Sequence, residues 1–574
     1  NTRDRRHKMA LRLGDILVEK KIITVYELEQ AVKEQQKTKE PLGSVLVRMG
    51  FISERQLLQI LAEQQGIAFV EFKDIRIDEK AVKSVPAKFA VHYKVMPIAI
   101  DGHMLTIATS NPFDMWPVDD LETNLGFRVE RVLSSSSDIL EMIRKYYGVG
   151  ADTIEKILAE DTKEGREEPA QPEKVEDLTK MATDASVIKL VNQILQQAIN
   201  DRATDIHIER FREDLRLRYR IDGILYDTQI AGEIKYLYNA IISRIKIMSG
   251  LNIIERRIPQ DGRAKVKIGS EEYDLRISIL PTLYGENIVI RILPTTMLFN
   301  ISQLGLSKQY QEIFEQLLKK SHGIVFLTGP TGSGKTTTLY ACLSMLNTRE
   351  RKIITIEDPI EYELNGISQL QIKPSIGFTF ATALRSVLRH DPNIIMVGEV
   401  RDLEAAEITI QTALTGHLVF STLHTNDAAT GATRLIDIGI EPYLVASSVE
   451  AFIAQRLVRV ICERCKTDVT GQSQDAVKSI ERDLKMDRKD IKIFRGKGCK
   501  ACNLTGYMGR TAIYEVLLVK DEVRGLINQK ASSDIIRKKA IELGMNTLKQ
   551  DGWAKVIGGV TTPEEVLRVT HLED

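Results

Sequence analysis

The chain lacks a surplus of one charge, a long apolar segment and an abundance of cysteine. Lysine plus arginine and aspartate plus glutamate each number 79 in 574 residues, so no basic excess favours a nucleic acid partner. No stretch approaches the roughly 18 consecutive apolar residues of a membrane-spanning helix, and we recognise no signal peptide. The five cysteines include two C-x-x-C pairs, which favour a metal site in a reducing compartment over disulfides. We therefore predict a cytosolic chain that reaches a membrane only through partners.

The chain has the length of several domains and an ordinary globular composition, 43% hydrophobic and 28% charged. Its most informative stretch is GIVFLTGPTGSGKTTTL at 323–339. The apolar run 324–327 predicts a parallel strand buried on both faces, and 337–341 predicts a helix. Between them, 329–336 fits G-x-x-x-x-G-K-S/T, the pattern of a phosphate-binding loop.

Each residue type in this loop suits a triphosphate. Glycines let backbone N–H groups approach phosphate oxygens, and the helix N-terminus adds partial positive charge. Lys335 is expected to reach the β- and γ-phosphates, and the Thr336 hydroxyl is expected to ligate Mg²⁺. A chance glycine-rich turn is the alternative, but the flanking strand and helix favour a nucleotide site. The predicted nucleotide-binding residues are Gly329, Pro330, Thr331, Gly332, Ser333, Gly334, Lys335, Thr336 and Thr337.

Acidic residues end the next two apolar strands, at the edge where open α/β sheets bind ligands. The third strand leads to Glu399, and Gly398 stands where the second motif of such ATPases usually has aspartate. We therefore predict that Glu399 orients or deprotonates the attacking water. Mg²⁺ must then be held through water or by other groups, and the predicted associates are Thr336, Glu357, Asp358 and Glu361.

A fourth apolar strand, within 416–425, carries a histidine at each end. A structural and a functional role for His417 remain equally open. His424 follows the strand and is predicted to stand where it senses the γ-phosphate.

Upstream of the loop, an amphipathic helix at 186–195 and several alternating strands predict an antiparallel sheet. His207 has no second ligand nearby and is assigned a structural role. A strand arginine facing solvent is usually an ordinary surface residue, but arginine supplied in trans commonly stabilises the transition state of phosphoryl transfer. We therefore predict Arg276 and Arg291 as catalytic arginines, with Glu399 and Lys335.

The N-terminal region contains a 29-residue repeat, at 12–35 and 41–64. Each copy predicts a short helix, a turn and a second helix, with Thr24 and Ser53 as N-caps. By periodicity alone, the apolar positions are the core of a small helical domain. Strand-like and helical segments then alternate to about residue 148 as an α+β unit, and the charged stretch 161–180 predicts a flexible linker. Residues 1–8 precede a plausible start at Met9.

Two cysteine pairs lie in the C-terminal third, separated by 33 residues. Two such pairs supply four thiolates for a structural Zn²⁺ site, predicted at Cys462, Cys465, Cys499 and Cys502. The separation exceeds the usual spacing, so a helical insertion is expected between the pairs. The end of the chain predicts helices broken at Gly544, Gly552 and Gly558.

Several motifs together resemble the type II/type IV secretion ATPase family, above all its PilB-like type IV pilus assembly (extension) branch, with the GspE-like type II secretion branch as near relative. They are TDIHIE, RYRIDG, RIPQDGR, GPTGSGKTTTLYA, TIEDPIEYEL, LRxxLRHDPNIIMVGEVRD and GHLVFSTLHTN. The resemblance covers 12–570. The tetracysteine element supports extension or secretion, because retraction ATPases of this superfamily generally lack it.

The resemblance implies a multidomain α/β protein: a RecA-like P-loop ATPase domain with a zinc-binding insertion, preceded by an α+β (PAS-like) middle domain and a helical/α+β N-terminal regulatory domain. It implies a homohexamer that hydrolyses ATP with Mg²⁺ and drives type IV pilus assembly through an inner-membrane platform protein. It also places Arg385, Arg389 and Arg401 around the ATP site.

The N-terminal repeat resembles a tandem motif that binds cyclic di-GMP in some secretion and pilus ATPases. Val32 replaces one leucine of that pattern, and Pro41 stands where the second copy could carry arginine. The ligand-binding residues that the resemblance implies are Arg12, Leu13, Gly14, Leu17, Leu28, Gln35, Leu42, Gly43, Leu46, Leu57, Leu61 and Gln64.

The predicted domains are an N-terminal regulatory domain (9–150), a linker (151–182), a middle domain (183–298) and the ATPase domain (299–574). The last includes the tetracysteine element (458–512) and C-terminal helices (520–574). Type II secretion is the alternative function. A nucleic acid translocase, which the balanced charge disfavours, and a cyclic-dinucleotide switch with negligible turnover are further alternatives.

Overall fold

The computed structural model describes residues 13–150, 153, 183–212, 214–230, 234–295 and 300–570. The chain divides into two compact units, Asn1–Leu293 and Pro294–Asp574. Arg12 and the predicted linker 161–180 lie outside the described residues. Within the described part, no helix is both long and apolar enough to cross a membrane.

The first unit opens with four helices that repeat one pattern. Thr24 and Ser53 accept hydrogen bonds from the backbone of Glu27 and Gln56 in capping boxes, which confirms both predicted N-caps. Residues at equivalent positions of the two copies build one core, among them Leu17 and Leu46. The helices are α1 Leu13–Glu19, α2 Val25–Thr38, α3 Leu42–Arg48 and α4 Glu54–Gln65.

A four-stranded mixed sheet follows, in the order β1-β4-β3-β2. Its strands are β1 Ala68–Phe69, β2 Met96–Asp101, β3 Met104–Thr109 and β4 Arg128–Leu133. Four helices accompany it: α5 Glu79–Ser84, α6 Ala87–Tyr93, α7 Trp116–Leu125 and α8 Ser136–Tyr147. This is the α+β arrangement that the alternating segments predict.

A six-stranded antiparallel sheet completes the first unit, in the order β7-β6-β5-β10-β9-β8. Two helices, α9 Ala185–Asn200 and α10 Ile234–Met248, cover one face, and the Tyr219 hydroxyl donates to the Ile194 carbonyl at 3.0 Å. The strands are β5 Ala203–Arg210, β6 Leu215–Ile221, β7 Ile224–Thr228, β8 Gln260–Ile268, β9 Glu271–Thr282 and β10 Gly285–Pro294. The four predicted strands are present; β7, β8 and α10 were not predicted.

The second unit is built on a seven-stranded sheet in the order β13-β12-β14-β15-β11-β16-β19. All its pairs are parallel except β16 with β19. The strands are β11 Gly323–Thr328, β12 Ile353–Glu357, β13 Ser368–Gln371, β14 Ile394–Val397, β15 Leu418–Leu423, β16 Val449–Ile461 and β19 Tyr507–Leu518. The four apolar runs predicted as strands are therefore adjacent in this sheet, with β11 near its centre.

Helices cover both faces of this sheet, and each face has its own apolar cluster. They are α11 Lys308–Leu318, α12 Lys335–Leu346, α13 Phe380–Val387, α14 Leu403–Leu414, α15 Ala428–Ile438 and α16 Pro442–Ser448. Parallel strands with helices on both faces bring their carboxyl ends, and the loops that follow, to one edge.

The tetracysteine element contains a small antiparallel strand pair, β17 Lys466–Asp468 with β18 Phe494–Gly496. The expected helix, α17 Gln474–Leu484, lies in the chain segment that connects these two strands. Four helices end the unit: α18 Asp521–Asn528, α19 Ser533–Glu542, α20 Leu548–Ile557 and α21 Pro563–Thr570. The prediction of a break at Gly552 was wrong. This glycine lies inside α20, where it permits close packing of α21, since a Cβ there would stand 2.5 Å from Val566 Cγ1.

Candidate active site

The loop between β11 and α12 has a backbone that requires glycine. Gly329, Gly332 and Gly334 have φ of 145°, 79° and 89°, a region that other residues rarely adopt. A Cβ at Gly329 would lie 2.7 Å from both the Gln455 carbonyl oxygen and Ser333 Oγ. The loop is therefore held tightly against β16 and wraps over the start of the helix.

Lys335 is the first residue of α12, and its ammonium group folds back over the loop. Nζ donates to the carbonyls of Gly329 at 2.6 Å and Pro330 at 3.1 Å. Burial, and next the Arg456 guanidinium, lower the pKa of Lys335 to about 8, while Glu399 opposes the shift. The site thus concentrates positive charge that a polyphosphate would neutralise.

The residues present fit a nucleoside triphosphate. The Ser333 hydroxyl oxygen is buried and has no hydrogen-bond partner among the described residues. The first N–H groups of α12 also lack intrahelical partners, as at any helix N-terminus. A buried hydroxyl, helix-end N–H groups and Lys335 together form a set of donors for phosphate oxygens.

Glu399 lies just beyond β14, at the carboxyl edge of the sheet. Arg401 forms an ion pair with its Oε1, and His424 Nε2 lies 3.3 Å from its Oε2. The hydrogen bond that Arg401 donates to the Glu399 carboxylate raises the pKa of Arg401. The structure therefore brings together three of the predicted site residues, Glu399, Arg401 and His424, at the end of the sheet where the P-loop lies.

Gly398 precedes Glu399, and its backbone lies close to the neighbouring strand. A Cβ there would lie 3.1 Å from the Ile356 carbonyl oxygen and 3.5 Å from Glu357 Cα. The Gly398 N–H donates to the Ile356 carbonyl at 2.8 Å, and its own carbonyl accepts from Thr422 Oγ1 at 2.7 Å. The neighbouring strand therefore runs too close for a larger side chain without some adjustment.

The three carboxylates predicted around Mg²⁺ occupy different environments. Glu357 is 3% exposed, and its carboxylate accepts hydrogen bonds from the side chains of Tyr340, Thr355 and Gln369. Asp358 is exposed and Glu361 is half-buried in the loop that follows. The buried network around Glu357 was not foreseen, and the structure sets this carboxylate apart from the other two.

The predicted sensor residues do not all reach this edge. Arg385 pairs with Glu404 at 2.8 Å, and Arg389 donates to the Arg385 carbonyl at 2.9 Å. His417 precedes β15, and its Nδ1 lies 2.9 Å from the Thr412 carbonyl. His417 is therefore at the opposite end of the strand from His424, and the structure does not place it in the candidate site.

Arg276 and Arg291 belong to the first unit. They lie on neighbouring strands β9 and β10, on the sheet face away from the buried isoleucines at 277 and 290. Arg291 Nε donates to Asp205 Oδ1 at 3.2 Å. Their catalytic role stays a prediction.

Two residues of β16 adjoin the P-loop and were missed by the sequence reasoning. Arg456 is 4% exposed, and its Nη2 donates to the Asn426 carbonyl at 2.6 Å, in the loop after His424. Gln455 accepts from Thr338 Oγ1 at 2.9 Å. The sequence does mark these two residues, because a polar pair interrupts the otherwise apolar segment AFIAQRLVRVI.

The four predicted zinc ligands converge. Their sulfur atoms all lie within 4.8 Å of one another, with separations of 3.8 Å for Cys462 and Cys499 and 3.9 Å for Cys465 and Cys502. Four sulfurs at about 2.3 Å from a tetrahedral Zn²⁺ would stand about 3.8 Å apart. Burial raises the pKa of Cys502, but N–H donors from Cys499 and Gly506 outweigh it and bring it to about 7. The donor set fits a closed structural zinc site.

In the N-terminal repeat, equivalent residues make equivalent contacts. A Cβ at Gly14 would stand 2.6 Å from Leu28 Cδ1, and one at Gly43 would stand 2.8 Å from Leu57 Cδ1. Leu17 and Leu46 are fully buried and act as core. Leu61 is buried as well, whereas the leucines of the motif at 13, 28, 42 and 57 are partly exposed.

A phosphate-binding loop after a strand near the centre of a largely parallel sheet, with a glutamate just beyond the end of a nearby strand, defines a RecA-like P-loop ATPase. The family model described as type II/IV secretion system protein matches residues 180–568, and the chain belongs to that family of ATPases. A second model, the MshEN domain, matches residues 65–153, which begin directly after the tandem repeat at 12–64.

Curated relatives come from both branches of the family. The chain is 42% identical to the type IV pilus assembly ATPase PilB of Myxococcus xanthus, over 97% of this chain and 99% of that one. It is 41% identical to type II secretion system protein E of Xanthomonas campestris pv. campestris, over 98% of each chain. Among solved structures, MshE with cdg is 33% identical over 24% of this chain and 100% of that chain, with a TM-score of 0.23.

Proposed function

We propose that this chain hydrolyses ATP to power type IV pilus assembly. The observation that carries the proposal is the cluster of Lys335, Glu399 and His424 at one edge of the sheet. The similarity to a PilB over nearly the whole length of the chain supports it. Type II secretion is the second candidate, because the relative from that system matches to almost the same extent.

In the proposed mechanism, Lys335 leaves its own loop carbonyls and binds the β- and γ-phosphates. The Ser333 hydroxyl and the N–H groups at the start of α12 donate to phosphate oxygens, and the Thr336 hydroxyl would hold the Mg²⁺. Mg²⁺ would neutralise phosphate charge as it develops. Glu399 moves from Arg401 to the attacking water and accepts its proton, while His424 stands by the γ-phosphate.

We further propose a homohexamer in which Arg276 and Arg291 reach the ATP site of a neighbouring subunit. Both lie on the sheet face away from the buried isoleucines at 277 and 290, and Arg291 pairs with Asp205 at 3.2 Å. The hexamer would act at the inner membrane on a platform protein. Mass measurement of the purified chain with ATP tests it: a hexamer supports the ring, and a monomer at micromolar concentration contradicts it.

Cyclic di-GMP is the proposed regulator. The two copies of the repeat present equivalent, partly exposed leucines beside close-packed glycines, which suits the flat faces of two purines. The four converging cysteines, two buried and two half-buried, are proposed to hold Zn²⁺ as thiolates. Titration of the full-length chain with cyclic di-GMP tests the first point, and no binding at high micromolar ligand would refute it.

Deletion of the gene in its own host separates the two biological functions. We expect loss of surface pili, counted by electron microscopy, with exoprotein levels in the medium unchanged. Restoration of pili by the wild-type gene, but not by Lys335→Gln, would link the defect to this site. Normal pili with lost secretion would instead establish the type II function.

A further inference from the structure

A buried tyrosine connects the P-loop helix to the acidic loop beside it. Tyr340 lies four residues after Thr336, on the same face of α12, and is fully buried. Its hydroxyl donates to Glu357 Oε2 and accepts from the Glu361 N–H at 3.4 Å. One hydroxyl thus contacts both β12 and the loop that carries Asp358 and Glu361.

Glu357 is the centre of this network. Besides Tyr340, its other oxygen accepts from Thr355 Oγ1 at 2.6 Å and Gln369 Nε2 at 3.1 Å. If this carboxylate moved to a metal ion at the surface, it would leave three donors in the protein interior unpaired, which is energetically costly.

Gln369 extends the network along the same loop. Its Nε2 donates to the Tyr362 carbonyl at 3.0 Å, and its Oε1 accepts from the Leu364 N–H at 2.7 Å. The segment 358–364 is therefore fastened at Glu361, Tyr362 and Leu364 to side chains that all converge on one buried carboxylate.

We propose that Tyr340 and Glu357 are positioning residues that hold Asp358 and Glu361 at a fixed place relative to the Mg²⁺ that Thr336 would bind. Glu357 is then the anchor of the metal-binding loop and not itself a partner of the metal. This inference rests on the proposed ATPase function, because it concerns the Mg²⁺ of that nucleotide site.

The test is the Mg²⁺ dependence of nucleotide binding by Tyr340→Phe, measured by calorimetry with ADP at increasing Mg²⁺. The midpoint is the Mg²⁺ concentration that gives half of the metal-dependent gain in ADP affinity, and it should be about tenfold higher in the variant. A change of this size is usual when a hydrogen bond that orients a metal-binding group is lost. ADP affinity in EDTA should match the wild type.

Tyr310→Phe is the matched control. Tyr310 is also buried, 3% exposed, in the same domain, and its hydroxyl donates to the Tyr514 carbonyl at 3.2 Å, on β19 and not on the acidic loop. It should keep the wild-type Mg²⁺ midpoint. Equal midpoints for Tyr340→Phe and wild type, or equal shifts in both tyrosine variants, would overturn the proposal.

A second variant distinguishes an anchor from a ligand. Under the proposal, Glu357→Gln shifts the midpoint as Tyr340→Phe does, and the double variant shifts it no further, because both changes break one network. If Glu357→Gln shifts the midpoint while Tyr340→Phe leaves it unchanged, Glu357 binds the metal and the proposal fails. Absence of ATP hydrolysis by the wild type would refute the proposed function, while these binding measurements would still decide the role of Tyr340.

Discussion

Proton uptake on nucleotide binding gives a quantitative test of Lys335. In the nucleotide-free protein its pKa is lowered from 10.5 to about 8, by burial and then by Arg456. The neutral form therefore dominates above pH 8. Phosphate oxygens close to Nζ favour the charged form and return the pKa to its ordinary range or above, so ADP binding must take up a proton wherever the free lysine is neutral.

The expected magnitude follows from this pKa. The neutral fraction of free Lys335 is about 0.2 at pH 7.5 and about 0.9 at pH 9.0, and uptake should follow it. The same linkage weakens nucleotide binding about eightfold between these pH values, or about 1.2 kcal/mol. Mg²⁺·ADP phosphates are already ionised in this range, since the second phosphate pKa is about 6.

Calorimetry in two buffers of different ionisation enthalpy measures the uptake directly. Lys335→Gln should lose the pH-dependent part, while Lys308→Gln, which alters an exposed lysine at the start of α11, should keep it. Equal uptake at pH 7.5 and 9.0, or the full pH dependence in Lys335→Gln, would show that Lys335 does not meet the phosphates.

Three further predictions concern other parts of the chain. Cys499→Ser should abolish stoichiometric zinc, measured by elemental analysis, whereas Cys342→Ser, a buried thiol outside the cluster, should retain it. Glu515→Ala should lower the free energy of unfolding, measured in urea, by about 2–4 kcal/mol, because this buried carboxylate accepts hydrogen bonds from the first N–H groups of α15 and α20, at Ala428 and Leu548. The control Glu522→Ala removes an exposed carboxylate and should cost under about 0.5 kcal/mol. Equal costs in the two variants would refute the capping role of Glu515. Gly43→Val should abolish cyclic di-GMP binding by pushing Leu57 aside, with exposed Ser44→Val as control; unchanged binding would remove the repeat from the ligand site.

Continuous patterns predicted the fold well. The apolar runs of β11, β12, β14 and β15 read as buried strands, because each is flanked by helices on both faces of the sheet. Thr24 and Ser53 predicted helix starts, because capping is a local property of a few adjacent residues.

Side-chain direction was harder to predict. A strand buried on both faces gives no alternation to show which residues face the ligand, so Glu357 resembled Asp358 and Glu361 although it points into a buried network. The two histidines that flank β15 look alike in sequence, yet of these two it is His424 that lies at the carboxyl edge. Arg456 contacts Asn426, 30 residues away in sequence, and such a contact depends on strand order.

Hydrolysis of ATP by Glu399→Gln tests the central claim most directly. The variant keeps the size of the side chain but cannot accept the proton of water, so steady-state hydrolysis should fall by about 100-fold or more with nucleotide affinity retained. Exposed Glu407→Gln on α14 should hydrolyse ATP at the wild-type rate. Undiminished hydrolysis by Glu399→Gln would contradict the account.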